Sequence, residues 1–256
     1  MNETTKKRRR FFGADIDLLT MGETLDAVRQ IIDDGTPQKH VAINVAKLVS
    51  LQKNAALRSA VNRCSLISVD GQGVVWAAKL FGINIPERVA GIDLFESLIA
   101  IAADNGLRPY FLGATDDVVR KAVDVFRARH PTLDVAGFRS GYFSEDKEHA
   151  VAEAIRTSDA DLLFVAISSP KKEFFLDRNF ESMNVPFVMG VGGSFDIFAG
   201  KTLRAPQWMQ RFGLEWLYRL LAEPRRMWKR YLSSNSAFAW MIFKALILGK
   251  RRYDID

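Results

Sequence analysis

A chain of 256 residues with 48% hydrophobic side chains can bury one core of ordinary size, and no long stretch has the composition of a disordered segment. Its single cysteine excludes an intrachain disulfide and three histidines argue against a Cys/His zinc site, both consistent with a reducing compartment. The net charge of +6 is uneven: residues 201–256 hold twelve Lys and Arg against four Asp and Glu, leaving 24 and 26 for residues 1–200. A nearly neutral body therefore carries a basic tail suited to anionic partners.

In chain order, residues 1–10 form a basic arm ending in Lys6-Lys7-Arg8-Arg9-Arg10, and Asp15 and Asp17 follow too soon for the apolar stretch of a signal peptide. Phe11 to Leu19 reads as a strand. Thr20 caps a helix that runs through Ile32, with Leu25, Val28, Ile31 and Ile32 at helical spacing. His40 to Ile43 is the next strand, and Asn44 at its end either caps the following helix or faces a cleft. Cys64 reads as a small buried hydrophobe. Leu66 to Val69 is a third strand, followed directly by Asp70-Gly71-Gln72-Gly73. An Asp at a strand's carboxyl end beside glycines is a candidate general base, held on a rigid element and open to substrate. Its plainer reading is an N-cap for a helix from Val74 to Phe81. In the loop that follows, Arg88 can neutralise a phosphate and Asp93 is expected to cap a helix from Phe95 to Ala103.

Pro109 to Ala114 opens a second strand–glycine–helix unit, Asp134 to Gly137 reads as a short strand and Ser144 to Thr157 as a helix. Asp161 to Ile167 is the most strand-like run, and it ends in Ser168-Ser169-Pro170-Lys171-Lys172-Glu173 and a helix through Phe180. Phe187-Val188-Met189 then delivers the glycine-rich stretch from Gly190 to Gly200. Glycines at a strand's carboxyl end let the backbone turn sharply and aim N–H groups at a nucleotide or phosphate, although a plain strand–helix turn uses them as well. Strands alternating with helices predict a doubly wound, largely parallel α/β sheet over residues 11–200. Asn44, Asp70, Gly113, Ser168 and Gly190 then share one rim, where open α/β sheets bind their ligands.

The tail reads differently. Gln207 to Leu221 is a helix broken by Glu223-Pro224, Arg225 to Tyr231 interleaves cations with aromatics, and Ala237 to Gly249 is apolar apart from Lys244. That run is short of the roughly 20 residues a membrane span requires, so a segment lying on a membrane surface is expected, with nucleic acid as the rival partner. The tail is expected to divide near Tyr231 into a part serving the site and a membrane foot over residues 237–252.

Several motifs in fixed order carry a resemblance. Asp70-Gly71-Gln72-Gly73, the run from Pro86 to Leu94, Ser169 to Glu173, Gly190 to Gly200, Arg204-Ala205-Pro206, Gly213 to Leu220 and Glu223-Pro224-Arg225-Arg226 resemble the WecG/TagA/CpsF glycosyltransferases, glycosyltransferase family 26. The resemblance implies a Rossmann-like α/β core of the GT-E type, with helices on both faces, over residues 11–200. It adds a C-terminal appendage over residues 201–256 that touches membrane and closes over the site. The implied reaction is inverting transfer from a UDP-sugar, such as UDP-ManNAc, UDP-ManNAcA or UDP-glucose, to a polyprenyl-diphosphate-linked sugar in bacterial surface polysaccharide biosynthesis. The implied location is cytoplasmic, peripheral on the inner face of the cytoplasmic membrane.

Residue by residue, the resemblance implies Asp70 as the base, Asn44 near the sugar, Arg88 on a diphosphate or sugar, and Arg219, Arg225 and Arg226 on the diphosphate. Gly192, Gly193, Ser194 and Asp196 of the glycine loop are further candidate substrate contacts. Ala42 stands where the family has threonine, and Lys172 where it usually has glutamine. Lys172 is therefore a candidate donor-sugar contact, with plain solvent exposure as the alternative. No Asp-x-Asp pair falls at a strand end to hold a divalent ion, so no metal is expected. Tail arginines and the N–H groups of Gly192 and Gly193 would meet the charge on departing UDP. This reading expects no nucleic acid and leaves a homo-oligomer open. The alternative from another class is a non-catalytic nucleotide- or RNA-binding α/β protein with a basic tail. Asp70 separates the two, because a binding module has no use for a base.

Overall fold

The structure, a computed structural model, describes residues 8–255 apart from the side chains of Arg226, Arg230 and Arg251. The strand expected over residues 11–19 is a hairpin, in which β1 (Arg8–Phe11) pairs antiparallel with β2 (Ala14–Asp17). Phe12 and Gly13 have φ of 48° and 76°, the positive values a two-residue hairpin turn requires. Phe12 is held in this unfavourable backbone by burial, its ring edge-on to Phe81, Phe238 and Tyr253. Arg8, expected in a free basic arm, is instead fixed: it donates to Asp17 at 2.7 and 2.9 Å and to the Ser65 carbonyl at 2.8 Å. Arg9 and Arg10 lie with it in β1, and residues 1–7 of that arm lie outside the described residues.

Strands and helices then alternate. Helix α1 (Met21–Asp34) starts where Thr20 and Glu23 cap each other's backbone N–H groups. The chain continues through β3 (Gln38–Ile43), α2 (Val45–Lys53), α3 (Ala55–Asn62), β4 (Leu66–Val69), α4 (Gln72–Leu80), α5 (Gly91–Asn105) and β5 (Pro109–Gly113). It goes on through α6 (Asp116–Arg129), β6 (Gly137–Arg139), α7 (Glu148–Arg156), β7 (Leu162–Ala166), α8 (Lys171–Met183) and β8 (Phe187–Gly190). The strand expected at residues 134–137 lies slightly later, where Gly137 to Arg139 pair with β5. These six strands form one parallel sheet in the order β4-β3-β8-β7-β5-β6. Burial on both faces explains the largely apolar sequences of β4, β5 and β7, with Ser68 in β4 partnered by His40. The architecture is the Rossmann-like α/β sheet with flanking helices that the alternation predicts. Because the strands are parallel, Asp70, Asn44, Gly190, Ser168 and Gly113 follow one another along a single carboxyl rim.

After β8 come the short α9 (Ser194–Phe198) and the tail helices α10 (Gln207–Arg211), α11 (Glu215–Ala222) and α12 (Pro224–Leu248). Gly213 splits the helix expected over residues 207–221. Its φ is +70°, and a Cβ there would overlap Gln72, so the chain turns where it touches the motif after β4. No break in secondary structure marks the division of roles expected near Tyr231, since α12 is one helix of 25 residues running through it. The inner face of α12 lies against α2, with Phe238 and Ala245 buried in the same apolar cluster as Phe12, Leu48 and Phe81. Its outer face leaves Trp240, Phe243, Leu246 and Ile247 more than half exposed. No described helix is long and apolar enough to cross a membrane.

Candidate active site

The ends of β3 and β4 open into a cavity of about 480 Å³, roofed on the far side by α11 and α12. Asp70, Asn44, Arg88 and Arg219, four of the residues singled out from sequence, line it together. Asp70 does not cap α4: that role falls to Gly71, which has no side chain to bond with, and the carboxylate is left free of the helix. Asn44 fulfils both of its readings. Its Oδ1 accepts from the Lys47 N–H at 3.0 Å, capping α2, while the residue also faces the cavity.

A chain of alternating charge crosses from core to tail at this point. Arg88 Nη1 lies 3.5 Å from Asp70 Oδ1 and 3.1 Å from Glu215 Oε2. Glu215 Oε1 lies 3.6 Å from Arg204 Nε, and Arg204 Nη2 lies 2.5 Å from Asp93 Oδ1. Asp93 was expected to cap α5. The cap position is Ala90, and Asp93 sits in the first turn, spent on Arg204. The motifs after β4, before α5 and at the start of the tail are thus one electrostatic unit. Sequence reading included Glu215 and Arg204 in the family motifs but gave neither a role, although Glu215 is the sole carboxylate between residues 201 and 222.

The Asp70 side chain keeps about a third of its surface open, 34%. Burial of its remaining surface pushes its pKa up, Glu215 adds to the rise, and Arg88, Arg219 and the Gly91 N–H oppose it. A carboxylate with a raised pKa binds a proton more readily than an ordinary Asp, as a general base requires.

The structure keeps other candidates out of this cavity. Gly192 and Gly193 follow β8, the strand beside Asn44's, and both are exposed. Their N–H groups donate to no backbone carbonyl among the described residues, leaving them free for a ligand. Ser194 is buried and its hydroxyl donates to the Val191 carbonyl at 2.7 Å, while Asp196 pairs with Lys201 at 3.5 Å. Arg225 is exposed at the start of α12, away from the cavity lining, and the side chain of Arg226 lies outside the described residues.

Lys172 is not a surface residue. It is buried, and its side chain lies so close over Gly190 that a Cβ there would come within 2.6 Å of Lys172 Cε. Glu173 Oε1 stands 3.8 Å from Lys172 Nζ and 2.6 Å from Lys47 Nζ. Burial and the neighbouring Lys47 lower the Lys172 pKa to about 8. Burial alone would raise Glu173, but the two lysines prevail and hold it at about 2. Beneath them His40, buried beside both cations, is lowered to about 3, and its Nε2 lies 2.9 Å from Ser68 Oγ. Among the described residues no group of three or more His, Cys, Asp or Glu side chains could hold a metal ion.

Comparison with known proteins identifies the family. The profile of the glycosyl transferase WecG/TagA/CpsF family matches residues 9–252. The chain is 38% identical over 181 residues to an N-acetylglucosaminyldiphosphoundecaprenol N-acetyl-beta-D-mannosaminyltransferase of Bacillus spizizenii, covering 71% of this chain and 69% of that protein. A protein of the same description from Bacillus subtilis is 37% identical over 169 residues, covering 66% of this chain and 65% of its own length. With the family match running across nearly its whole length, on a fold and rim of the expected kind, this chain belongs to the WecG/TagA/CpsF family of glycosyl transferases.

Proposed function

We propose that this chain transfers a sugar from a UDP-sugar to a sugar carried on a polyprenyl diphosphate, inverting the anomeric centre, in bacterial surface polysaccharide biosynthesis. The observation that carries the reading is a carboxylate of raised pKa, Asp70, in one cavity with Asn44, Arg88 and Arg219. Asp70 takes the proton of the acceptor hydroxyl, whose oxygen attacks the anomeric carbon. UDP leaves from the opposite face, which inverts the centre in one displacement. Arg88 holds Asp70 in place, and Asn44 orients the sugar. Arg219, with the free N–H groups of Gly192 and Gly193, meets the charge on the departing diphosphate, the task a metal performs in other enzymes. Arg225, exposed in the first turn of α12, is read as adding to that positive charge, as the motif it shares with Arg226 implies. The names of the two Bacillus relatives favour ManNAc as donor sugar and a GlcNAc-diphosphate lipid as acceptor.

A membrane-borne acceptor fits an enzyme working at the membrane surface, and we infer that it does so at the inner face of the cytoplasmic membrane. The exposed face of α12, with Trp240, Phe243, Leu246 and Ile247 next to Lys250 and Arg252, supports surface binding there. The test is a donor screen: purified full-length protein, UDP-ManNAc, UDP-ManNAcA and UDP-glucose, and a GlcNAc-diphosphate lipid acceptor, each with and without EDTA. Transfer from one donor, indifferent to EDTA and giving the inverted linkage, is expected. Absence of transfer from every donor overturns the reading, and loss of transfer in EDTA overturns the metal-independent part.

A further inference from the structure

The cavity at Asp70 changes character along its length. One end is charged, with Asp70, Arg88, Glu215 and Arg219. The other is apolar, with Leu80 from α4 and Phe238, Ala239 and Ile242 from α12. Contacts at both ends fix the direction of the groove. Gly213 lies against Gln72 at the start of α4, just before α11 and α12 begin. Past the end of α12, Lys250 donates to the Phe81 carbonyl at the end of α4. The Phe12 ring touches Phe81 and Phe238 alike. The end of α4 is thus tied to the second half of α12, while its start lies at the loop that leads into α11, so the cavity passes from a charged end at Gln72 to an apolar one at Leu80. Eight residues separate Gln72 from Leu80, about 12 Å of helix.

At the apolar end Leu80 is 65% exposed and Ala239 is exposed as well, so an apolar channel wall stands open to solvent. It runs on into the exposed outer face of α12. A nucleotide sugar has no apolar part to cover such a wall. An amphiphile with an anionic head and a hydrocarbon tail matches both ends at once.

We propose that the groove between α4 and α12 binds the first isoprene units of the acceptor lipid, with its diphosphate at the charged end of the cavity and its sugar at Asp70. The proposal rests on the glycosyl-transfer reading and adds a subsite to it. The enzyme recognises the lipid chain itself, not only the membrane that contains it. Since burying one methylene group strengthens binding roughly fourfold, even one or two covered isoprene units produce a large preference.

The experiment uses the full chain without vesicles or detergent. Binding of inorganic diphosphate, geranyl diphosphate and farnesyl diphosphate is measured by calorimetry, with the fluorescence of Trp76 and Trp216, which line the cavity, as a second signal. Farnesyl diphosphate should bind at least about tenfold tighter than inorganic diphosphate. Leu80→Gln and Ala239→Trp should lose most of that gain and bind inorganic diphosphate as before. Leu221→Gln, an exposed apolar position outside the cavity lining, should keep the gain. Equal affinity for all three ligands, or a gain that survives both groove substitutions, overturns the proposal. Because the measurement needs no turnover, a failed donor screen would remove the glycosyl-transfer reading and leave the chain-length result standing on its own.

Discussion

Two clusters of charge occupy the same rim of the sheet and do different work. On the β4 side, Asp70, Arg88, Glu215, Arg204 and Asp93 form a chain between core and tail that stays open to a cavity. On the β8 side, Lys47, Glu173 and Lys172 are sealed, with every side chain under a tenth exposed. In the open cluster the carboxylate of Asp70 is raised, which suits chemistry. In the sealed cluster the carboxylate of Glu173 is lowered to about 2 and is committed to holding two cations. The difference teaches that exposure decides whether a charged cluster on such a rim is available to a ligand or is spent on architecture. Glu173 ties the first turn of α2, capped by Asn44, to the first turn of α8. The sealed cluster thereby sets the position of a residue in the open one.

The comparison breaks most sharply at the two carboxylates. Asp70→Asn should lower turnover by about 10²–10⁴-fold without lowering Tm, because the side chain is partly open and the isosteric amide keeps the packing. A correctly folded variant with near-normal turnover would remove Asp70 from the role of base. Glu173→Gln should do the reverse. Removing one member of a buried ion pair costs about 3–5 kcal/mol, which lowers Tm by roughly 10 °C in a chain of this size. Thermal unfolding reads it directly, and an unchanged Tm would show that the sealed cluster holds nothing.

The same cluster has a pH signature with a definite sign. Glu173 is lowered from 4.5 to about 2, so its contribution is complete above about 4.5 and is lost as pH falls towards 2. Lys172, lowered from 10.5 to about 8, acts the other way: its charge opposes folding at low pH, and stability should rise between about 8 and 10.5. Unfolding titrations of the wild type and Glu173→Gln separate the contributions: the loss between about 4.5 and 2 should shrink in the variant, while the loss from His40 below about 6.5 and the alkaline rise from Lys172 should remain.

A smaller effect sharpens the open side. Glu215→Gln removes a like charge that raises Asp70 and releases Arg88 to lower it, so the acid limb of kcat/KM should move to lower pH. A limb that stays in place would assign it to another group. Smallest of all, Lys172→Gln should change the ranking of UDP-sugars a few-fold through the Gly190 backbone it packs on. An unchanged ranking would confine Lys172 to the architecture of the sealed cluster.

Much of this was legible in sequence. Alternation of strand and helix patterns sufficed for a parallel sheet, and a parallel sheet places every strand's carboxyl end on one side. Asn44 and Asp70 could therefore be assigned to one rim without coordinates, because that inference needs only local periodicity and chain direction. Tertiary structure alone decided the partners. Nothing local tells Asp93 that Arg204 will stand against it, or Lys172 that it will share Glu173 with Lys47 in a buried niche. Hairpin pairing fixed Arg8 to Asp17 where composition suggested a free arm. The tail shows the limit most plainly. Its apolar positions looked like a separate membrane foot, because hydrophobic periodicity records that a face is buried and not what buries it. Phe238 and Ala245 turned out to face the core, Phe238, Ala239 and Ile242 the cavity, and Trp240, Phe243, Leu246, Ile247 and Leu248 were left exposed.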